Sequence, residues 1–320
     1  MELFEYSVVI RTLGTAGDKY YTLLNSLYNQ TIPPKEVLVY IAEGYPLPKQ
    51  IGKEKYIYVK KGMVAQRALE YNEVNTKYIL FLDDDLFLHS ESVERMYFLL
   101  KRNSADVISP DIFSNAKRSK LSEIMMTISG RMRARKNDDC WGYKVMRTAG
   151  YSYNSNPTNE VYWSQTNAGA CFLCEKNTFL KIRFEDELWL DEVSYPIGED
   201  QVMYYKMYRY GLKLLTWYNH EIKHLDAGMN MTKEKRLKLN FSDLRFRIIF
   251  WHRFFYKNEP RLIIKCYNIM ALIYFYAFSL FISLLKFQFN VFKVKVKGIK
   301  SACRYILSET YKNLPDIPRL

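Results

Sequence analysis

The apolar run Tyr78-Ile79-Leu80-Phe81-Leu82, followed directly by Asp83, Asp84 and Asp85, restricts this chain more than any other feature. The run is continuous, β-branched and aromatic, so it reads as a strand buried on both faces of a sheet. Acid at the carboxyl end of such a strand lies where open α/β sheets place their ligands. Three adjacent carboxylates repel one another unless a cation or hydrogen-bond donors compensate. Hard oxygen ligands at this density suit Mg²⁺ or Mn²⁺, which usually also hold substrate phosphates. The alternative is a solvated turn capping a helix that starts near Ser90.

The neighbouring sequence fits a mostly parallel α/β sheet with flanking helices. Tyr6–Ile10, Val37–Ile41 and Tyr56–Val59 read as strands, and Val107-Ile108 as another. Between them the spacing predicts a helix opened by Asp18, one through Val64, Ala68, Leu69 and Tyr71, and one from Ser90 to Leu100. Residues 111–160 are polar and weakly periodic, and read as a long functional loop with one helix near Leu121–Ile128. Strand character returns at Ala168–Leu173. Glu199-Asp200 follows Gly198 and opens a helix closed by Gly211, and Lys213–Trp217 is a final strand.

Charge divides the chain. Residues 233–320 carry 18 Lys/Arg against 5 Asp/Glu, a net +13, so the remaining 29 basic and 29 acidic residues leave 1–232 balanced. Two regions are expected: a 1–232 α/β domain and a 233–320 basic, aromatic-rich helical tail. Such asymmetry calls for an anionic partner, a membrane or a nucleic acid. Within the tail, Cys266–Leu285 is uncharged, long enough to span a bilayer. Arg261, Lys265, Asn268, Ser279, Ser283 and Lys286 fall in a stripe about 60° wide, broken by Leu272 and Phe275. That stripe and the basic flanks favour a helix lying in one leaflet. A buried core helix is the alternative. Five scattered cysteines give no disulfide framework, and the Cys171/Cys174 pair has no second pair to complete a zinc site. Free thiols in a reducing compartment are expected, and the chain opens without a basic-then-apolar leader.

Neither GxxxxGK[ST], GxGxxG nor HExxH is present. Ser7–Thr12, Gln30-Thr31, Glu36–Val39, Lys60-Lys61-Gly62 with Arg67, and Tyr78–Asp85, in that order and spacing, together resemble glycosyltransferase family 2, with Glu199-Asp200 matching the family's second acidic motif. The resemblance implies the Rossmann-like GT-A fold. It also implies a nucleotide-diphosphate donor held by the aspartate cluster through a divalent metal, with Asp83 and Asp85 as metal ligands, Asp83 and Asp84 on the nucleotide, and Asp200 as base beside Glu199. The chain departs from the family in having Arg11-Thr12 where Pro-Thr is usual, which leaves Thr12 as the nucleotide contact. It has Ala42-Glu43-Gly44 for Asp-Asp-Gly, which leaves Glu43 to receive the nucleobase.

The chemistry of Asp200 also stands on its own residues. A carboxylate at a helix N-terminus stays ionised, and within reach of an acceptor hydroxyl it can remove the proton. Arg67 could meet a diphosphate bidentately or be a solvated Arg. His224 reads as a late metal ligand, a phosphate contact or an ordinary histidine. Trp163 and Trp189 read as acceptor-stacking rings or as core.

The expected activity is inverting, metal-dependent sugar transfer to a membrane-held, lipid-linked glycan acceptor at the cytoplasmic face of the cell membrane, peripheral or monotopic, in surface polysaccharide synthesis. No nucleic acid is expected as a partner. The rivals are a two-metal phosphoryl-transfer enzyme acting on nucleic acid and a silent membrane scaffold.

Overall fold

The computed structural model describes residues 4–112, 119–130, 141–154, 156–218, 220–225 and 232–319. Parts of the expected 111–160 loop, and the residues just after Leu225, lie outside that set.

The chain opens with β1 (Tyr6–Thr12), α1 (Asp18–Tyr28), β2 (Glu36–Ala42), β3 (Glu54–Val59), β4 (Tyr78–Asp83), β5 (Leu86–Phe87), α2 (Ser92–Arg102) and β6 (Val107–Pro110). It continues through α3 (Lys120–Ile128), β7 (Tyr143–Val145), β8 (Tyr151–Tyr153), β9 (Val161–Ser164), β10 (Cys171–Glu175), α4 (Lys176–Leu180), α5 (Glu199–Arg209), β11 (Leu214–Trp217) and β12 (Lys223–His224). The tail is α6 (Lys233–Trp251), α7 (Leu262–Leu285), α8 (Phe289–Ile306) and α9 (Glu309–Lys312).

The central sheet runs β3-β2-β1-β4-β10-β6-β11-β9. The strands β1 to β4 pair in parallel, as do β6 and β11, while β10 runs antiparallel between β4 and β6 and β9 antiparallel along β11. Alternate residues feed two cores, as a period of two requires. Val8, Ile10, Leu80 and Leu82 pack toward α1 and α2, and Val9, Ile79 and Phe81 toward α5 and α6. The run 78–82 is buried on both sides.

One expected helix is not formed. Residues 62–68 make a series of turns, because Asp191 accepts the backbone N–H groups of Met63, Val64 and Ala65 at 2.9–3.2 Å. Gly62 is required there, since a Cβ would stand 2.2 Å from Asp191 Oδ2. Tyr71 then turns the chain with φ 51°.

Packing continues across residue 232. Leu244, Phe246, Ile249, Phe250 and Phe254 join the core that holds Val202 and Met203 of α5. Arg253 Nη2 and Lys206 Nζ meet Glu187 Oε1 at 2.8 and 2.9 Å, all three side chains being buried. In α7 the uncharged middle of the polar stripe faces the protein, while Arg261 and Lys286 at its ends are exposed. Asn268, Ser279 and Ser283 are buried, and Lys295 of α8 donates to both serines. The opposite face is apolar and open, with Ile263 83%, Met270 67% and Phe281 55% exposed.

Candidate active site

Parallel register builds the first half of the site. Arg11 and Asp83 are paired positions at the ends of β1 and β4. Arg11 therefore grips Asp83 through Nε at 2.5 Å and Nη2 at 3.1 Å. Arg67 reaches the same carboxylate from the turn at 3.4 Å. The turn is pinned by Gln66, whose Nε2 donates to the Thr12 carbonyl at 3.1 Å. Burial pushes the Asp83 carboxyl up, but Arg11 and Arg67 outweigh it and hold the group below its usual range. Asp83 is thus saturated by guanidinium groups, which leaves it poorly placed to give charge to a metal.

Asp84 differs. It accepts from the Thr12 hydroxyl, which also receives the Gly14 N–H at 2.7 Å. Burial pushes its carboxyl up to about 6; the charges of Asp83 and Asp85 add to this, while the Thr12 hydrogen bond opposes it. Pairing of β12 with β5 sets His224 opposite Leu86, and its Nε2 comes 3.5 Å from Asp85 Oδ1. No cluster of three or more His, Cys, Asp or Glu side chains forms a full metal cage among the described residues. Asp85 and His224 still fit a divalent ion, because Mg²⁺ commonly takes one or two protein ligands and completes its shell with water and phosphate. The excess negative charge at Asp84 and Asp85 favours the same occupant. These groups line a cavity of about 500 Å³ with Arg11, Thr12, Lys19, Lys61 and Gln66.

Arg67 joins this half to the next. Its Nη1 donates to Asp200 Oδ1 at 2.5 Å and its Nη2 to the Gly169 carbonyl at 2.5 Å. A Cβ at Gly169 would lie 2.0 Å from Asp200 Oδ1 and 2.6 Å from Arg67 Nη1, so a side chain there would push this pair aside. Gly198, at φ +85°, turns the chain into α5 and brings Glu199 and Asp200 to its first turn. Glu199 is buried, with Arg11 Nη2 3.6 Å away. Burial and the charge of Asp200 push it up to about 7, against the pull of Arg11 and Arg67. Both acids line a second cavity of about 300 Å³, closed on one side by Asp243, Phe246 and Arg247 of α6.

The sequence-predicted residues divide accordingly. Thr12, Arg67, Asp83, Asp84, Asp85, His224, Glu199 and Asp200 gather around the two cavities. Glu43 sits exposed at the end of β2 and lines neither one. Trp163 stands on the edge strand β9, 38% exposed, outside both linings. Trp189 is 3% exposed, donates from Nε1 to Glu187 and packs near Tyr305, so its ring belongs to the core and is not available to stack on a sugar. Sequence reasoning missed Arg11, Gly169, Asp191 and the α6 residues. Of these, Arg11 alone could have been noticed, as a charged residue near the end of an apolar strand, but its role depends on the register that sets it beside Asp83.

Residues 7–153 match the model of glycosyl transferase family 2. No curated protein matches the chain. Among solved structures, the chain is similar to TarS of S. aureus at 13% identity and a TM-score of 0.45, over 85% of this chain and 43% of that one. It is also similar to the 1–349 portion of S. aureus TarS in complex with UDP-GlcNAc, at 12% identity and a TM-score of 0.42, over 85% of this chain and 71% of that one. The chain thus spans less than half of the longer TarS chain.

Proposed function

We propose, from the match of residues 7–153 to the glycosyl transferase family 2 model, that this protein performs metal-dependent, inverting transfer from a nucleotide-diphosphate sugar to an acceptor hydroxyl held at a membrane. The observation that carries this reading is Arg67, which touches Asp83 on the side of the larger cavity and Asp200 on the side of the smaller one. One guanidinium thereby sets the spacing between a polyanion site and a carboxylate able to accept a proton.

The larger cavity takes the donor, with Lys19 and Lys61 in its wall to face phosphate oxygens. Asp85 and His224 would hold Mg²⁺ or Mn²⁺, which stabilises the negative charge of a departing diphosphate. The acceptor enters the smaller cavity. Asp200, oriented by Arg67, takes its hydroxyl proton while the sugar–diphosphate bond breaks, and attack from the face opposite that bond inverts the anomeric centre. Glu199, pushed up to about 7, keeps a proton through part of the neutral range, which reduces repulsion beside Asp200.

A lipid-linked glycan is the acceptor class that fits residues 233–320 as a membrane-associating region. Support comes from α7, the one described helix long and apolar enough to cross a membrane, which turns the uncharged middle of its polar stripe inward and its apolar face out. Lys286, Lys293, Lys297 and Lys300, all exposed, would lie against anionic headgroups on the cytoplasmic face, where nucleotide sugars are available. The natural setting is assembly of a surface polysaccharide.

Thermal stabilisation and hydrolysis should be measured across a panel of nucleotide sugars, UDP-GlcNAc included, with Mn²⁺ and with chelator. At least one nucleotide diphosphate sugar should stabilise the protein with Mn²⁺ and be slowly hydrolysed. No stabilisation by any member under either condition would remove the donor assignment.

A further inference from the structure

A cavity of about 540 Å³ lies at the foot of α7, walled by Lys144, Arg147, Arg209, Arg261 and Arg319. Glu259 is the carboxylate in its lining, and Arg261 already neutralises it with contacts of 2.8 and 3.1 Å. The cations are held in place. Arg147 donates from Nη1 to Asn268 Oδ1 at 2.6 Å and lies 5.2 Å over the Tyr267 ring, both residues of α7. Arg209 donates from Nη1 to the Phe254 carbonyl at 2.5 Å. Its Nε–H is buried and has no hydrogen-bond partner among the described residues. A buried guanidinium N–H without an acceptor is costly, and Arg209 Nε–H is one, while the exposed guanidinium groups of Arg147, Arg261 and Arg319 line the same space and match the tetrahedral oxygens of phosphate.

We propose that this cavity binds a phosphate-bearing headgroup, a phosphate monoester or a diphosphate, at a site separate from the donor pocket. Asp200 and Arg209 stand at opposite ends of α5, about 14 Å apart along its axis at 1.5 Å per residue. The donor pocket and this cavity have no lining residue in common, so the two anion sites do not share a ligand atom. Its lining residues Pro260 and Arg261 lead directly into Leu262 and Ile263, which open the exposed apolar face of α7. Where that face enters a leaflet, which rests on the membrane reading above, the cavity meets the bilayer at headgroup depth.

The test uses the full chain in chelator, which silences metal-dependent donor binding. Inorganic pyrophosphate is titrated calorimetrically into the wild type and into the Arg147→Gln, Arg261→Gln, Arg319→Gln triple variant. Binding should weaken at least about tenfold, since each charge-assisted hydrogen bond lost is worth roughly that factor. Nucleotide diphosphate binding with Mn²⁺ should stay unchanged, which separates failure here from failure of the donor assignment. Flotation then compares vesicles containing phosphatidic acid with equally charged phosphatidylglycerol vesicles. A phosphatidic acid preference lost in the variant supports a lipid headgroup as the ligand. Pyrophosphate binding lost without any such preference supports a soluble phosphate. Equal pyrophosphate binding by wild type and variant, or none by either, overturns the site.

Discussion

Adjacent carboxylates in this protein have unlike environments. Asp83 is clamped by two arginines, Asp84 and Glu199 are pushed up to about 6 and about 7 by burial and by neighbouring charge, and Asp85 faces His224. A carboxyl whose folded value is raised stabilises the fold below its unfolded value and loses that stabilisation as pH climbs through the folded one. As the pH rises from about 5 to about 8, Asp84 and Glu199 should therefore lower the melting temperature of the ligand-free protein, while His252, held down to about 4 by burial, raises it in the lower part of that range. Glu199→Gln should flatten that fall by removing the largest contributor. A variant with the same slope as wild type would show that Glu199 is not the titrating group. Proton competition at Asp84 should make metal-dependent nucleotide binding tighten over the same range. The acids, Arg67 and Thr12 were legible from the sequence because their chemistry is visible in the residue type. Arg11 was not, because its meaning depends on the register that sets it beside Asp83. Nor was Asp191, which organises a turn 128 positions away by accepting from the Met63 N–H.

Strands and most helices could be read from periodicity, including the buried strand that ends in the aspartates and the helix opened by Glu199. The antiparallel course of β10 could not, since an apolar run carries no direction. The apolar spacing of Val64, Ala68, Leu69 and Tyr71 suggested a helix, but tertiary capping by Asp191 holds turns instead. In α7 the polar stripe was evident, but not the surface it meets. A stripe facing headgroups and a stripe facing Lys295 give the same spacing, and the fold chooses the second. The exposed apolar face then makes a specific prediction. Full-length protein should float with anionic vesicles more than with neutral ones, and salt should weaken this only in part, because screening leaves apolar burial intact. Met270→Glu with Phe281→Glu should abolish flotation by removing roughly 2 kcal/mol of burial per side chain and adding charge. Donor binding should persist, since both side chains point away from the core. Retained flotation in the double variant would assign vesicle binding to charge alone.

For the molecule as a whole, charge divides at residue 232 while packing does not. Phe246 closes over Gly198, where a Cβ would stand 2.6 Å from its ring, so α6 shapes the cavity around Asp200. Arg253 neutralises the fully buried Glu187 together with Lys206. Removing the tail would leave that network short of a partner, at a cost of about 3–5 kcal/mol, so substitutions on α7 probe the membrane reading more cleanly than truncation. Arg67 joins the two cavities by touching both Asp83 and Asp200, and the function proposed above assigns donor to one and acceptor to the other. The most direct measurement is of donor affinity and turnover, side by side, in Asp85→Ala and Asp200→Asn. Asp85→Ala should lose metal-dependent nucleotide binding while keeping its fold. Asp200→Asn should bind donor as wild type does and turn over roughly 10²–10⁴-fold more slowly. Donor binding lost in Asp200→Asn with its rate preserved, or donor binding and metal dependence unchanged in Asp85→Ala, would contradict the account.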